Sequence, residues 1–237
     1  MTPPGRIVIL TGAGISRESG LDTFRDAGGV WTRWSLEDVC TPEGFARDPD
    51  QVDNFYNLRR AELRGVSPNA AHLALAELEA GIGCEDDSFL LVTQNIDDLH
   101  ERAGSQNLVH MHGELLRLRC TDGGATPTWH QDATRQTPCP QCGQTSLRPD
   151  VVWFGEMPMH MPRIEAALAR CDLFVAIGTS ATVYPAAGFV DLVNRIGRAR
   201  TVEINLAASD RWDAFDSIVS GPASAAVPAF VRDLLAG

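Results

Sequence analysis

One histidine and a cluster of amide and carboxylate side chains hold most of the chemistry that this chain offers. His112 stands before glycine in the run His110-Met111-His112-Gly113, where the missing side chain leaves room for a substrate. An ordinary imidazole pKa near 6.5 suits a general base at neutral pH. Gln94, Asn95 and Asp97 belong to the run Thr93-Gln94-Asn95-Ile96-Asp97, which follows an apolar stretch. Such groups at a strand end are costly to bury without a ligand or partners. The plainer alternative is that Asp97 caps a helix through His100. Gly12-Ala13-Gly14-Ile15-Ser16 follows another apolar stretch. Its glycines would let the backbone approach a pyrophosphate, and a helix N-terminus would donate N–H groups to it. It falls short of the full dinucleotide fingerprint. Arg17 stands where the third glycine belongs, and no clear acidic residue ends a second strand about 20 residues on. Gly178-Thr179-Ser180 reads as a further phosphate or ribose cradle, and Asn205-Leu206 is placed for a ribose hydroxyl. Taken singly, each of these is equally a plain turn.

The elements that must position these groups are legible from periodicity. Short apolar runs predict strands over residues 6–10, 89–92, 173–177 and 201–204, and each ends in glycine or polar residues. Helical patterns lie between and after them, over 70–80, 162–170, 184–195 and 225–235. This alternation predicts an α/β fold, a Rossmann-like parallel sheet with helices on both faces. Ligands in such folds bind beyond the carboxyl ends of the strands. Residues 34–66, mostly helical, and 116–148, rich in Gly, Thr, Pro and Cys, break the alternation. They are expected to form a small inserted domain, with 1–33, 67–115 and 149–237 as the main one.

Composition bounds the partners. The chain has 237 residues and a net charge of −11, which disfavours non-specific nucleic-acid or membrane-surface binding. No apolar stretch approaches the roughly 18–20 residues of a membrane span, and the N-terminus lacks a signal peptide's apolar core. The expected compartment is the cytoplasm. Of the six cysteines, Cys40, Cys84 and Cys171 are scattered, whereas Cys120, Cys139 and Cys142 bracket the 116–148 segment. In a reducing compartment that pattern points to metal binding rather than disulfides.

The order of the motifs says more than any one of them. Gly-Ala-Gly-Ile-Ser at 12–16, Thr-Phe-Arg at 23–25, Gln-Asn-Ile-Asp at 94–97, His-Gly at 112–113, Val-Trp-Phe-Gly-Glu at 152–156, Gly-Thr-Ser at 178–180 and Asn-Leu at 205–206 form a series that resembles the sirtuin family, over nearly the whole chain. Sirtuins are NAD-dependent protein deacylases with a Rossmann-like domain and a small zinc-bearing domain. The resemblance implies that Gly12, Ala13, Gly14, Ser16, Arg25, Gly178, Thr179, Ser180, Asn205, Leu206 and Ala207 hold NAD. Ala223 would lie by the adenine and Phe24 over the nicotinamide end. Gln94, Asn95, Ile96 and Asp97 would line the nicotinamide and ribose pocket, with Asn95 and Asp97 joining His112 in catalysis. In the family's reaction the acyl-lysine amide oxygen attacks the ribose carbon as nicotinamide leaves. His112 then helps deprotonate a ribose hydroxyl, and the acyl group ends on ADP-ribose. Val152, Phe154, Gly155 and Glu156 would form an edge that pairs with the substrate peptide.

Two features refine the resemblance. Tyr56 and Arg59 are three residues apart, so a helix puts them on one face. They match the Tyr-x-x-Arg signature of sirtuins that remove malonyl, succinyl and glutaryl groups, whose terminal carboxylate an Arg fork and a Tyr hydroxyl can bind. The family's zinc uses two Cys-x-x-Cys pairs. Cys139 and Cys142 form one, but Gly123 stands where a partner for Cys120 belongs. Asp122, His130 or a water would have to supply the fourth ligand, or the zinc has been lost. All 20 basic residues are Arg, so the chain has no lysine of its own to be acylated. The expected partners are acylated lysines on proteins, and the expected state is a monomer. The rivals are an NAD-dependent ADP-ribosyltransferase, an oxidoreductase and a non-catalytic NAD or acyl-lysine sensor.

Overall fold

The computed structural model describes residues 5–21, 34–82, 88–180 and 182–236. In chain order the regular elements are β1 (Ile7–Thr11), α1 (Leu36–Val39), α2 (Pro42–Arg47), α3 (Pro49–Arg64), α4 (Ala70–Ile82), β2 (Phe89–Thr93), α5 (Leu99–Ala103), β3 (Leu108–His110), β4 (Gly113–Cys120), β5 (Leu147–Val151), α6 (Met161–Leu168), β6 (Leu173–Ile177), α7 (Phe189–Ile196), β7 (Arg200–Asn205), β8 (Ser217–Ser220) and α8 (Ala223–Ala236). Six strands form one parallel sheet in the order β3-β2-β1-β6-β7-β8. Renumbered within the sheet, this is the doubly wound 3-2-1-4-5-6 order, whose switch point lies between β1 and β6.

β1, β2 and β6 are apolar at every position except the closing Thr11 and Thr93, because both faces are covered. Ile7, Ile9, Phe89, Leu91, Leu173 and Val175 face one core, closed by Leu75 and Leu78 of α4 and by Val227 and Val231 of α8. Val8, Leu10, Leu90, Val92, Phe174 and Ala176 face the other, closed by Ile164 and Leu168 of α6 and by Phe189 and Val193 of α7. Strand alternation therefore sends consecutive apolar residues into two different cores.

Sequence reading places β1, β2, β6 and β7 within one residue at each end. It misses β3 and β8, which have three and four residues, and the β4–β5 antiparallel pair. The helix expected from 184 begins only at Phe189, after a short 3-10 turn over Ala186–Gly188. A run of proline and small residues there satisfies the apolar spacing without sustaining an α-helix.

The stretch expected to be helical before residue 66 does hold α1, α2 and α3. Each starts on a side chain that accepts a backbone N–H: Ser35 from Glu37, Thr41 from Gly44 and Asp48 from Gln51. These helices share a third core with Leu21, Leu99, Leu115, Val151 and Trp153. The 116–148 segment is fastened to α3 by polar bonds. Asn57 donates to the Ala133 carbonyl and accepts from the Ala133 N–H, both at 2.9 Å, while buried Arg60 donates to the Leu115 carbonyl. The helix that carries Tyr56 and Arg59 is thereby fixed against the sheet's ligand-binding end.

Candidate active site

At the switch point two glycine turns touch. The Gly14 N–H donates to the Gly178 carbonyl at 2.9 Å, and the Gly12 N–H to that of Ile177 at 3.0 Å. A Cβ on Gly14 would stand 2.7 Å from the Gly178 Cα, and Gly178 itself has φ +60°. Both positions exclude a side chain, which leaves two strips of bare backbone at the sheet's carboxyl edge. Gly178→Ala is expected to destabilise the fold by about 1–3 kcal/mol through backbone strain. That lowers Tm by about 2–4 °C per kcal/mol in a chain of this size, and NAD should restore less stability than it does to wild type. Superimposable melts, with and without NAD, would remove the turn's assigned role.

Beneath these turns lies a buried polar network. The Asn69 N–H donates to His72 Nδ1 at 3.3 Å, so Nε2 carries the His72 proton and faces Ser16 Oγ at 3.4 Å. Ser16 also accepts from Asn95 Nδ2 at 3.1 Å and spends its own proton on Asp97 Oδ2 at 3.0 Å. Asp97 Oδ1 accepts the Leu99 N–H at 3.2 Å. Burial raises the Asp97 pKa, and the Leu99 and Ser16 bonds offset part of that rise. Asp97 thus holds the first N–H of α5, at Leu99 rather than at the His100 expected from sequence, while Asp98 is the N-cap residue, and it anchors the Asn95 amide through Ser16. Burial depresses His72 to about 4, keeping it neutral in this role.

His112 donates from Nδ1 to the Gln94 carbonyl at 3.1 Å, because a carbonyl can only accept. That fixes the tautomer and leaves Nε2 as the base. Burial lowers the His112 pKa, opposed by the Gln94 bond, so the ring is neutral and able to take a proton at pH 7. His110 differs. Its two ring nitrogens face two acceptors, the Asn95 carbonyl at 2.9 Å and Glu101 Oε1 at 2.6 Å. Burial would lower its pKa, but the Glu101 bond and charge and the Asn95 bond outweigh burial and raise it. His110 therefore ties the Asn95 backbone to α5, between two acceptors that favour its protonated form.

A cavity of about 1190 Å³ opens above these groups, larger than the roughly 300–1,000 Å³ of an ordinary small-molecule pocket. Gly12, Ala13, Gly14, Ser16, Gln94, Asn95, Ile96, Asp97 and His112 line it, with Gly178, Thr179, Ser180, Asn205, Leu206, Ala207 and Ala223. So do Tyr56, Arg59, Val152, Phe154, Gly155 and Glu156. Phe24 and Arg25 lie outside the described residues. The donor set suits a dinucleotide: bare backbone for phosphates, and amide and hydroxyl groups for riboses and a carboxamide. Gln94 donates to Thr179 Oγ1 at 3.1 Å, and Asn205 to the Thr179 carbonyl at 2.9 Å, so these loops brace one another. At the far end Glu18 accepts from the Ser224 N–H at 2.7 Å and the Ser224 hydroxyl at 3.0 Å, fastening the start of α8 beside Ala223.

Fold and cleft together define a doubly wound, dinucleotide-binding class of protein, with the His112 ring beside the crevice at the switch point. The Sir2 family model matches residues 12–185, and the chain belongs to that family. The NAD-dependent protein deacylase of Escherichia coli strain K12 is 54% identical over 235 residues, covering 98% of this chain and 83% of that protein. The protein of the same name from Pasteurella multocida is 52% identical, covering 99% and 100%. A solved Sir2 homologue in complex with NAD superposes with a TM-score of 0.88 at 38% identity, covering 98% of this chain and 90% of that one. A Sir2 structure with a deacetylated p53 peptide and 3'-O-acetyl ADP ribose gives 0.78 at 28% identity, covering 98% and 93%.

The sulfurs of Cys120, Cys139 and Cys142 lie within 4.8 Å of one another. Three thiolates of this spacing suit zinc, which wants a fourth ligand in a structural site. Among the described residues neither Asp122 nor His130 joins the trio. A Cβ at Gly123 would stand 3.7 Å from the sulfurs of both Cys120 and Cys142, within reach of a completed tetrahedron. The segment also has apolar support of its own, from Leu118, Ala125, Ala133 and Leu147. Gly123→Cys is expected to retain zinc through a chelator challenge that strips the parent protein. Equal retention, measured as metal per chain, would show that the missing thiolate is immaterial.

Sequence reasoning passed over His72, His110, Cys40 and Trp153. The first two act through partners distant in sequence, which no local motif records. Trp153 sits inside a recognised motif, yet its indole hydrogen bond to Tyr56 shows only in three dimensions.

Proposed function

We propose that the protein is an NAD-dependent protein-lysine deacylase that prefers acyl groups ending in a carboxylate, namely succinyl, malonyl or glutaryl, with weaker action on acetyl. The coarser part, NAD-dependent protein deacylation, rests on family membership and on relatives of that name at 54% and 52% identity along nearly the whole chain. The observation that carries the finer part is that Tyr56 and Arg59, on α3, share one cavity with His112 and the glycine turns.

NAD supplies the electrophilic ribose carbon, and its ADP-ribose part accepts the acyl group. The protein's share is positional and protonic. Gln94, Asn95 and Asp97 hold the carboxamide and ribose end, with Ser16, backed by His72, fixing the Asn95 and Asp97 side chains and Thr179 fixing that of Gln94. The first step separates charge without moving a proton, so it depends on a dry, oriented site. The second requires a base, which is Nε2 of His112. Val152, Phe154, Gly155 and Glu156 line the place where the substrate peptide would lie, but not as the extended edge expected from sequence: the strand ends at Val151, and Trp153–Glu156 close a turn, with the Glu156 N–H donating to the Trp153 carbonyl at 3.0 Å and Gly155 at φ +89°. Phe154 is half exposed there.

Arg59 bonds to Glu62 at 2.8 Å, and Glu62 is 43% exposed. An i,i+3 surface pair contributes only about 0.3–0.5 kcal/mol, so a substrate carboxylate with bidentate geometry can displace it. The substrates are acylated lysines of other proteins. The enzyme acts as a cytoplasmic monomer without direct nucleic-acid contact, and no helix among the described residues is long and apolar enough to cross a membrane. The test is a panel of acetyl-, malonyl-, succinyl- and glutaryl-lysine peptides with NAD present and absent. NAD-dependent release of free lysine, fastest from a carboxylate-bearing peptide, is expected. Acetyl as the best substrate would overturn the preference, and labelled ADP-ribose retained on protein would favour the transferase instead.

A further inference from the structure

We propose that Trp153 is a positioning residue for acyl selectivity: its indole N–H occupies the Tyr56 oxygen and so leaves the phenol proton for the carboxylate of an acyl chain. The inference rests on the carboxylate-preferring reading above and assigns it a second residue.

Trp153 Nε1 lies 2.9 Å from the Tyr56 hydroxyl, and both side chains are buried. An indole N–H can only donate, so the Tyr56 oxygen accepts and its own proton stays unspent. The other polar neighbour of that hydroxyl, Cys40 Sγ, is 3.8 Å away and a weak acceptor. Burial keeps the phenol protonated, since it pushes the Tyr56 pKa well above its ordinary value. A carboxylate entering the cavity outcompetes a thiol for that proton, because a charged acceptor makes the stronger hydrogen bond. An acetyl group has nothing to offer it.

Trp153 is itself held on several sides. The Arg148 guanidinium lies 3.6 Å from its ring centroid, and Phe45 packs at 5.1 Å. Arg148 forks onto Glu156 at 2.7 and 3.0 Å, and Glu156 accepts the Trp153 backbone N–H at 2.8 Å. The next residue, Phe154, donates its N–H to the Cys40 carbonyl at 2.9 Å. The turn that lines the proposed peptide site and the helix that reads the acyl end thus meet at one buried hydrogen bond between residues 97 apart in sequence. That bond makes acyl selectivity depend on a side chain of the peptide-binding strip.

The test is a double-mutant cycle over Trp153→Phe and Tyr56→Phe, read as kcat/KM for succinyl- against acetyl-lysine peptides. Phenylalanine keeps a ring for Arg148 and Phe45 but lacks the N–H. The Trp153→Phe ratio of succinyl to acetyl is expected to fall about 2- to 10-fold, the size of one neutral hydrogen bond, and mainly through KM. In the Tyr56→Phe background Trp153→Phe should leave the ratio unchanged, because there is no hydroxyl left to orient. A merely structural Trp153 would lower both substrates together, or lower the ratio equally in both backgrounds, and either result overturns the inference. A wild type with no preference for succinyl sinks the acyl reading and this inference with it. A preference that Trp153→Phe leaves intact sinks the inference alone. Should Trp153→Phe melt early, 3-benzothienylalanine at position 153, which keeps the bicycle without the N–H, carries the same test.

Discussion

Replacing His112 by Ala should cut deacylation by about 10²- to 10⁴-fold, the usual contribution of a positioned general base, while exchange of labelled nicotinamide into NAD continues. The two readouts separate because the base enters after nicotinamide has left. Exchange reports the first step and its reversal, which need an oriented acyl oxygen and a dry pocket but no proton transfer. The ring's geometry supports this division: Nδ1 is committed to the Gln94 carbonyl, and only Nε2 is basic. The pH profile follows from the direction of the pKa shift. A base is inactive when protonated, and burial lowers the His112 pKa below its ordinary value of 6.5. The acid limb of kcat/KM is therefore expected below pH 6.5, with a plateau through neutrality, and His112→Ala should erase that limb. If exchange falls as far as deacylation, His112 belongs to substrate binding or to the first step instead.

What the sequence could reveal followed from how local each cause is. β1, β2 and β6 are legible because burial on both faces makes them apolar at every position except the closing Thr11 and Thr93. β8 is not, since Ser217 to Ser220 form a half-buried edge with no such run. The glycine turns and the Gln-Asn-Ile-Asp run were readable because backbone conformation and strand ends constrain residue type locally. The groups that hold them were not. His72 lies 56 residues from the Ser16 it touches. In isolation it looks like an ordinary helical residue. His110 is the sharpest case: one position before Met111 in a recognised motif, it has a raised pKa only because the Asn95 carbonyl and Glu101 converge on it. The cysteines show the converse. Spacing located three cysteines that could hold a metal, but only the fold shows that Asp122 and His130 do not join them.

The acyl preference yields the other large effect. Tyr56→Phe combined with Arg59→Met should lower kcat/KM on succinyl-lysine by about 10- to 100-fold per lost contact, from about 1.5–3 kcal/mol for each hydrogen bond to a charged group. Activity on acetyl-lysine should fall far less, because acetyl ends in a methyl group that neither side chain can recognise. The structure also sets the control. Tyr56→Phe leaves the Trp153 N–H without its acceptor in a buried setting, which costs about 1–3 kcal/mol of stability. A melt must accompany the kinetics, so that an unfolded fraction, which lowers both substrates alike, is not taken for lost selectivity. Arg59→Met alone carries no such penalty: its partner Glu62 is exposed and simply returns to water. The single Arg59 variant therefore isolates the carboxylate contact. Equal loss on succinyl and acetyl in that variant, with an unchanged melt, would mean that Arg59 shapes the cavity without reading the acyl charge.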